Sequence, residues 1–141
     1  NILIKHFEGK KRGYLDLNDI GNIPCSFHPF INRNNQKKFE EIRSQDVYNT
    51  ACILNEHNTK ISTINGGYYK LNLQKKSVTK EDGFSHKINL AYIKYQIKSI
   101  RNKNLKIARM FAIRRINNIK YINWKKNNDK SFYEYLNEKE N

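Results

Sequence analysis

Between Gly83 and Asn128 the sequence has no acidic side chain at all. Ordinary solvated helices mix both signs, because interspersed pairs add stability and solubility. A stretch of one sign needs counter-charge from elsewhere, which excludes a simple solvated surface as the first reading. Cysteine is equally scarce: Cys25 and Cys52 are the only two, far apart in sequence, and no disulfide framework follows from them. No apolar run approaches the roughly 18 residues of a membrane-spanning helix. Nucleophile motifs, a metal-hydrolase His pair and a dinucleotide fingerprint are all missing. The expectation is therefore no enzyme, no cofactor and no small-molecule substrate. Ala, Gly and Leu are sparse while Asn, Lys and Ile dominate, which reads as AT-rich codon usage of a protist-like or organellar genome. The chain opens on Asn1 rather than Met and shows no signal-peptide core, so it reads as a processed chain or an internal piece.

What is present is positive charge and aromatic surface. The 141 residues carry 27 basic and 13 acidic side chains, a formal charge of +14. Hydrophobic residues reach 38%, below the roughly 45–50% of globular chains, so the core should be thin. Nine Tyr, seven Phe and one Trp are too many for a disordered tail. Residues 1–81 hold 13 basic and 8 acidic residues, whereas 82–128 hold 12 basic and one acidic; the last thirteen hold two and four. Such a concentrated surface fits a polyanion.

The shift in charge divides the chain into an N-terminal part, 1–80, and a basic helical region, 81–141. Residues 1–35 are punctuated by Gly9, Gly13, Gly21, Pro24 and Pro29 and read as irregular. Phe39, Ile42, Val47, Ala51 and Leu54 predict a helix over 36–56. Residues 59–74 read as a hairpin turning at Asn65-Gly66-Gly67. A helix starts near Ser85 as N-cap, with Leu90, Ile93, Ile97 and Ile100 as its apolar stripe. Arg101-Asn102-Lys103-Asn104 ends or bends it. A second basic helix follows, with Ala108, Ala112, Ile116, Ile119 and Ile122 along one face and Met110, Phe111 and Ile113 widening it. Asp129 caps a short third helix that packs through Phe132, Tyr133 and Leu136. The expected fold is mainly α: a small three-helix C-terminal bundle, with an irregular α/β N-terminal extension containing the hairpin.

The chemistry this pattern offers is phosphate neutralisation. Lys and Arg on helix flanks displace counterions from nucleic acid, and binding then falls with salt. The residues expected to touch RNA are Ser85, Lys87, Lys94, Lys98, Arg101, Lys103, Lys106, Arg109, Arg114, Arg115, Lys120, Lys125 and Lys126. Tyr92, Tyr95 and Tyr121 read either as stacking platforms or, more in keeping with tyrosine generally, as half-buried packing residues.

Several of these residues match a family pattern. Asp82-Gly83-Phe84-Ser85, then Ala91 and the isoleucine stripe, then Lys120-Tyr121-Ile122 and Asp129, Tyr133 and Leu136, follow a known order. In it, this part of the chain resembles the small-subunit ribosomal protein fifteen family, of the universal bacterial and organellar type. The resemblance covers about 55 residues by the spacing of its helical stripes. The family's His-x-x-Lys-Asp-x-x-Ser turn has no counterpart, since no His follows His86 and no Asp lies between Asp82 and Asp129. The resemblance implies a structural protein that binds small-subunit ribosomal RNA, contacts neighbouring ribosomal proteins and resides in a mitochondrial ribosome. The competing expectation is a protein–protein or anionic-membrane interaction module of a larger complex.

Other constellations have plainer readings. Cys25-x-x-His28 and Cys52 with His57 are two ligand couplets that admit a Cys₂His₂ zinc site, provided the helix ends near Leu54. A buried cysteine with exposed histidines is the simpler account, and no metal is expected. Asp16 and Asp19 read as turn and cap residues. Asn65-Gly66-Gly67 lacks the Lys-Ser/Thr step of a phosphate-binding loop and reads as a turn.

Overall fold

The computed structural model describes residues 13–23, 29, 31–38, 42–62, 83–130, 134, 135 and 138. Among them the order is strand β1 (Tyr14–Leu15), helix α1 (Leu17–Asn22), a single 3₁₀ turn (Arg33–Asn35), helix α2 (Gln45–Glu56), strand β2 (Ile61–Ser62), helix α3 (Phe84–Arg101) and helix α4 (Leu105–Lys125). The fold is mainly helical, as expected, with one small antiparallel strand pair in the N-terminal part. That pair is long-range. Tyr14 lies opposite Ser62 and Leu15 opposite Ile61. The turn at Asn65-Gly66-Gly67 lies outside the described residues.

Local chemistry sets the helix ends. Asp16 caps α1 by accepting from the amides of Asn18 and Asp19, at 2.9 and 3.1 Å, while Asp19 accepts from the Asp16 amide at 2.9 Å. This reciprocal capping box satisfies amides that have no partner inside the helix. Helix α2 starts at Gln45 rather than at residue 36, because Ser44 sits in the left-handed region at φ 61° and interrupts any helix before it. Its core positions Val47, Ala51 and Leu54 are buried as the spacing predicts.

Helix α3 is entered through Gly83 at φ 71°, two residues before the expected cap Ser85, which lies within the helix. The predicted break at 101–104 is a tight corner. The Lys103 amide donates to the Ile100 carbonyl at 2.9 Å and the Asn104 amide to the Ser99 carbonyl at 2.8 Å. Lys103 has φ 56°, the left-handed position of a Schellman motif, where glycine is usual. Asn104 then caps α4 by accepting from the Ile107 amide at 3.4 Å.

One core joins the two parts of the chain. Leu15, Ile20 and Ile23 from the α1 segment and Val47, Ala51 and Leu54 from α2 pack with Tyr92, Tyr95, Ile107, Met110 and Phe111 from the α3–α4 hairpin. Its centre is aromatic. Tyr48 stacks on Tyr95 with ring centroids 4.5 Å apart, and Tyr95 stacks on Phe111 at 5.3 Å. Helix α1 approaches α4 closely at Gly21, where a Cβ would stand 3.4 Å from Met110 Cγ.

The face that α3 buries is not the one its isoleucines predict. Ala91, Tyr92, Tyr95 and Ser99 are buried, whereas Leu90, Ile97 and Ile100 are 60%, 44% and 52% exposed. Both faces are apolar at helical spacing, so periodicity alone does not choose between them. The tyrosine face offers larger rings, and both its hydroxyls find partners: Tyr95 donates to the Ile42 carbonyl at 3.4 Å and Tyr92 accepts from Arg114 at 3.2 Å. At the far end of α4, Tyr121 and Trp124 pack against buried Tyr135. Glu134, Tyr135 and Glu138 are helical, in the region of the expected third helix. Phe132, Tyr133 and Leu136, its predicted packing side, lie outside the described residues.

Candidate nucleic-acid interface

Helical geometry sorts the cations of α3 and α4. Lys87, Lys94, Lys98 and Arg101 recur at seven-, four- and three-residue steps and so form one row along α3. Lys94 and Arg101 are exposed, and Lys98 rests half-buried with its ammonium 5.2 Å from the Tyr48 ring centroid. With Ile97 and Asn102, these three cations line a shallow open groove at the C-terminal end of α3. Along α4, Lys106, Arg109 and Lys120 are exposed on the edge away from α3. Among the described residues, Lys94, Arg101, Lys106, Arg109 and Lys120 make no ion pair. Lys103 at the corner and Lys126 at the end of α4 are exposed as well.

Three of the expected contact residues are engaged within the fold. Arg115 is half-buried and donates to Gln96 Oε1 at 3.3 Å. Lys125 donates to the Lys130 carbonyl at 2.9 Å and pairs with Asp129 at 3.6 Å. Arg114 requires a correction. It is 5% exposed and lies inside the molecule. Its Nε donates to the Tyr92 hydroxyl, and its Nη1 donates to the carbonyls of Ile20 and Ile23 at 2.6 and 3.0 Å. These carbonyls belong to the end of α1, where the helix dipole is negative and orphan acceptors need donors. Arg114 thus ties α4 to α1 and has no face left for a phosphate. The spacing gave a signal: Arg114 stands seven residues after Ile107 and three after Phe111, on the stripe that is buried. Ser85 is also partly covered; its carbonyl accepts from Asn118 Nδ2 at 2.8 Å.

Two of the three tyrosines, Tyr92 and Tyr95, are not stacking platforms for bases. Tyr92 and Tyr95 are core residues. Tyr121 is half-buried, and burial raises its phenol pKa. The exposed cations have the chemistry to neutralise phosphate, whereas the rings of Tyr92 and Tyr95 are out of reach of a base.

No group of three metal-ligating side chains occurs among the described residues. Cys25 and His28 lie outside them. Cys52 is half-buried on α2, where burial raises its thiol pKa against the opposing hydrogen bond with Tyr48. His57 stands exposed at the C-cap of the same helix. No described helix is long and apolar enough to cross a membrane.

Spacing had also hidden an exposed apolar band between the two cation rows, with Leu90, Ile97 and Ile100 on α3 and Leu105, Ile116 and Ile119 on α4. Compared with known proteins, the chain matches no family model, no curated protein and no solved structure.

Proposed function

We propose that this protein is a structural RNA-binding component of a ribonucleoprotein particle, and that its RNA is small-subunit ribosomal RNA in a mitochondrial ribosome. One observation carries the reading. The stretch without acidic residues, Gly83–Asn128, covers all of α3 and α4, and these two helices hold Lys87, Lys94, Arg101, Lys106, Arg109 and Lys120 exposed on one hairpin. A phosphate backbone supplies the counter-charge that the chain itself omits there. The role is passive: the hairpin positions cations, α1 and α2 brace it through the shared core, and neighbouring ribosomal proteins contact the remaining surface.

The test is a salt series of binding to small-subunit ribosomal RNA, with unrelated duplex RNA as competitor. Neutralising about six phosphates should cost on the order of a thousandfold in affinity between roughly 50 and 200 mM salt. Preference for the ribosomal RNA that survives the competitor supports the reading. Equal binding of both RNAs, removed together by salt, reduces the hairpin to a generic polyanion surface and overturns the ribosomal assignment.

A further inference from the structure

The apolar band on the hairpin has a definite place in the fold. On α4, Met110 and Arg114 face α1, while Arg115 and Asn118 reach α3. Ala112, Ile116 and Ile119 therefore occupy the remaining side, opposite α1. On α3, Tyr95 meets Tyr48 of α2, and Tyr92 and Gln96 meet α4. Ile93, Ile97 and Ile100 lie on the side left over. The two stripes thus share one outer face. The antiparallel register set by Ser85 with Asn118 and Tyr92 with Arg114 brings Leu90 level with Ile116 and Ile100 level with Leu105.

The shape is a trough. Leu90, Ile97 and Ile100 form one ridge, and Leu105, Ile116 and Ile119 the other, each residue at least 38% exposed. Between them the α4 side chains are small, Ala108 buried and Ala112 half-buried. Six large aliphatic side chains on one face exceed the scattered exposure normal for a soluble surface. Two parallel ridges with a floor of small residues fit the cylinder of a third helix.

Charge selects the occupant. The trough is edged by Lys94, Lys98 and Arg101 on one side and Lys106, Arg109 and Lys120 on the other, with no carboxylate anywhere on either helix. A second copy of this chain would set like charge against like. RNA answers the cations but covers no isoleucine. We propose that this trough is the docking site of an amphipathic helix from a partner protein, with its apolar stripe on Ile97 and Ile116 and acidic residues along both flanks. The flanking cations are those proposed to neutralise phosphate, so an acidic helix and RNA compete for them; the apolar stripe is the part that RNA does not use.

The experiment uses the full chain and two synthetic helices as long as α3, 18 residues. Both carry leucines along one stripe; one has glutamates on its flanks and the other lysines. The glutamate peptide binds one to one, with a Kd on the order of micromolar, and the lysine peptide does not. Ile97→Asp with Ile116→Asp weakens the glutamate peptide by about tenfold or more, and Ile97→Ser with Ile116→Ser acts in the same direction without added charge. Circular dichroism of each variant keeps its helical signal, because both positions are exposed. Lys94→Glu with Arg109→Glu shifts the preference towards the lysine peptide, a gain that misfolding does not produce. Ile97→Ser with Ile116→Ser leaves the charge of the cation rows unchanged, so duplex RNA binding persists in that variant while the glutamate peptide is weakened. Four results overturn the proposal: no binding of the glutamate peptide, equal binding of both peptides, binding of phosphatidylserine vesicles through Ile97 and Ile116 without the peptide, or a concentration-dependent dimer abolished by Ile97→Asp.

Discussion

The Arg114 guanidinium donates to the Ile20 carbonyl at 2.6 Å, joining positions 94 residues apart through a buried bond. Removing it strands two carbonyls at the end of α1 and the Tyr92 hydroxyl. Arg114→Ala should lower stability by about 3 kcal/mol, combining lost packing with unsatisfied acceptors. Arg114→Lys keeps a cation but loses the planar fork and should cost about half as much. Urea midpoints measure both. Arg115→Glu, at the half-buried edge, should leave the midpoint within about 1 kcal/mol of the parent while weakening RNA.

Lys103 holds a left-handed backbone at the α3–α4 corner, a conformation that costs a side-chain-bearing residue. Lys103→Gly should therefore stabilise the fold by about 0.5–1 kcal/mol, read as a rise of a few degrees in melting temperature. A drop in melting temperature would show that the lysine side chain supports the corner.

The carboxylate of Asp16 accepts two amides at the start of α1. Asp16→Ala should cost about 1 kcal/mol, and Asp16→Asn or Asp16→Ser should recover most of it. Comparing the three by thermal melting separates the cap from any general charge effect in this basic chain.

Alkaline pH should weaken the fold in a definite order. Burial raises the pKa of the Cys52 thiol and of the Tyr121 and Tyr135 phenols. Each group thus gives up its proton sooner in the unfolded chain than in the folded one. Stability is undiminished below the ordinary pKa of each group and declines as pH rises towards the folded value. Melting temperature should fall first above about pH 8.5, from the thiol, and again above about pH 10, from the phenols. Cys52→Ala should flatten the first part of that fall and leave the second.

The fold is most legible in the sequence where local chemistry decides. The break at 101–104, the cap at Asp16 and the core side of α2 all follow from neighbours within a turn or two. It is least legible where one helix offers two apolar faces. Leu90, Ile93, Ile97 and Ile100 make as regular a stripe as Ala91, Tyr92, Tyr95 and Ser99, and only packing against Tyr48 and Phe111 decides between them. Arg114 illustrates the same point for charge. Counted with its neighbours it belongs to a basic surface, yet its acceptors lie at the other end of the sequence, where no local pattern reaches. The β1–β2 pairing has the same long-range character. Of the cation rows, the positions on the outer edges were legible because exposure is the ordinary state of Lys and Arg.

The shared core has a consequence for dissection of the molecule. The α3–α4 hairpin carries the cations, but it is not an excisable fragment. Cut away from residues 13–62, it would present Tyr92, Tyr95, Phe111 and Met110 to water and leave Arg114 without the Ile20 and Ile23 carbonyls. During synthesis the dependence runs the other way. The α1 segment is made long before α4, so Ile20 and Ile23 wait for their partners on α4 until Ile107, Met110 and Arg114 have been synthesised.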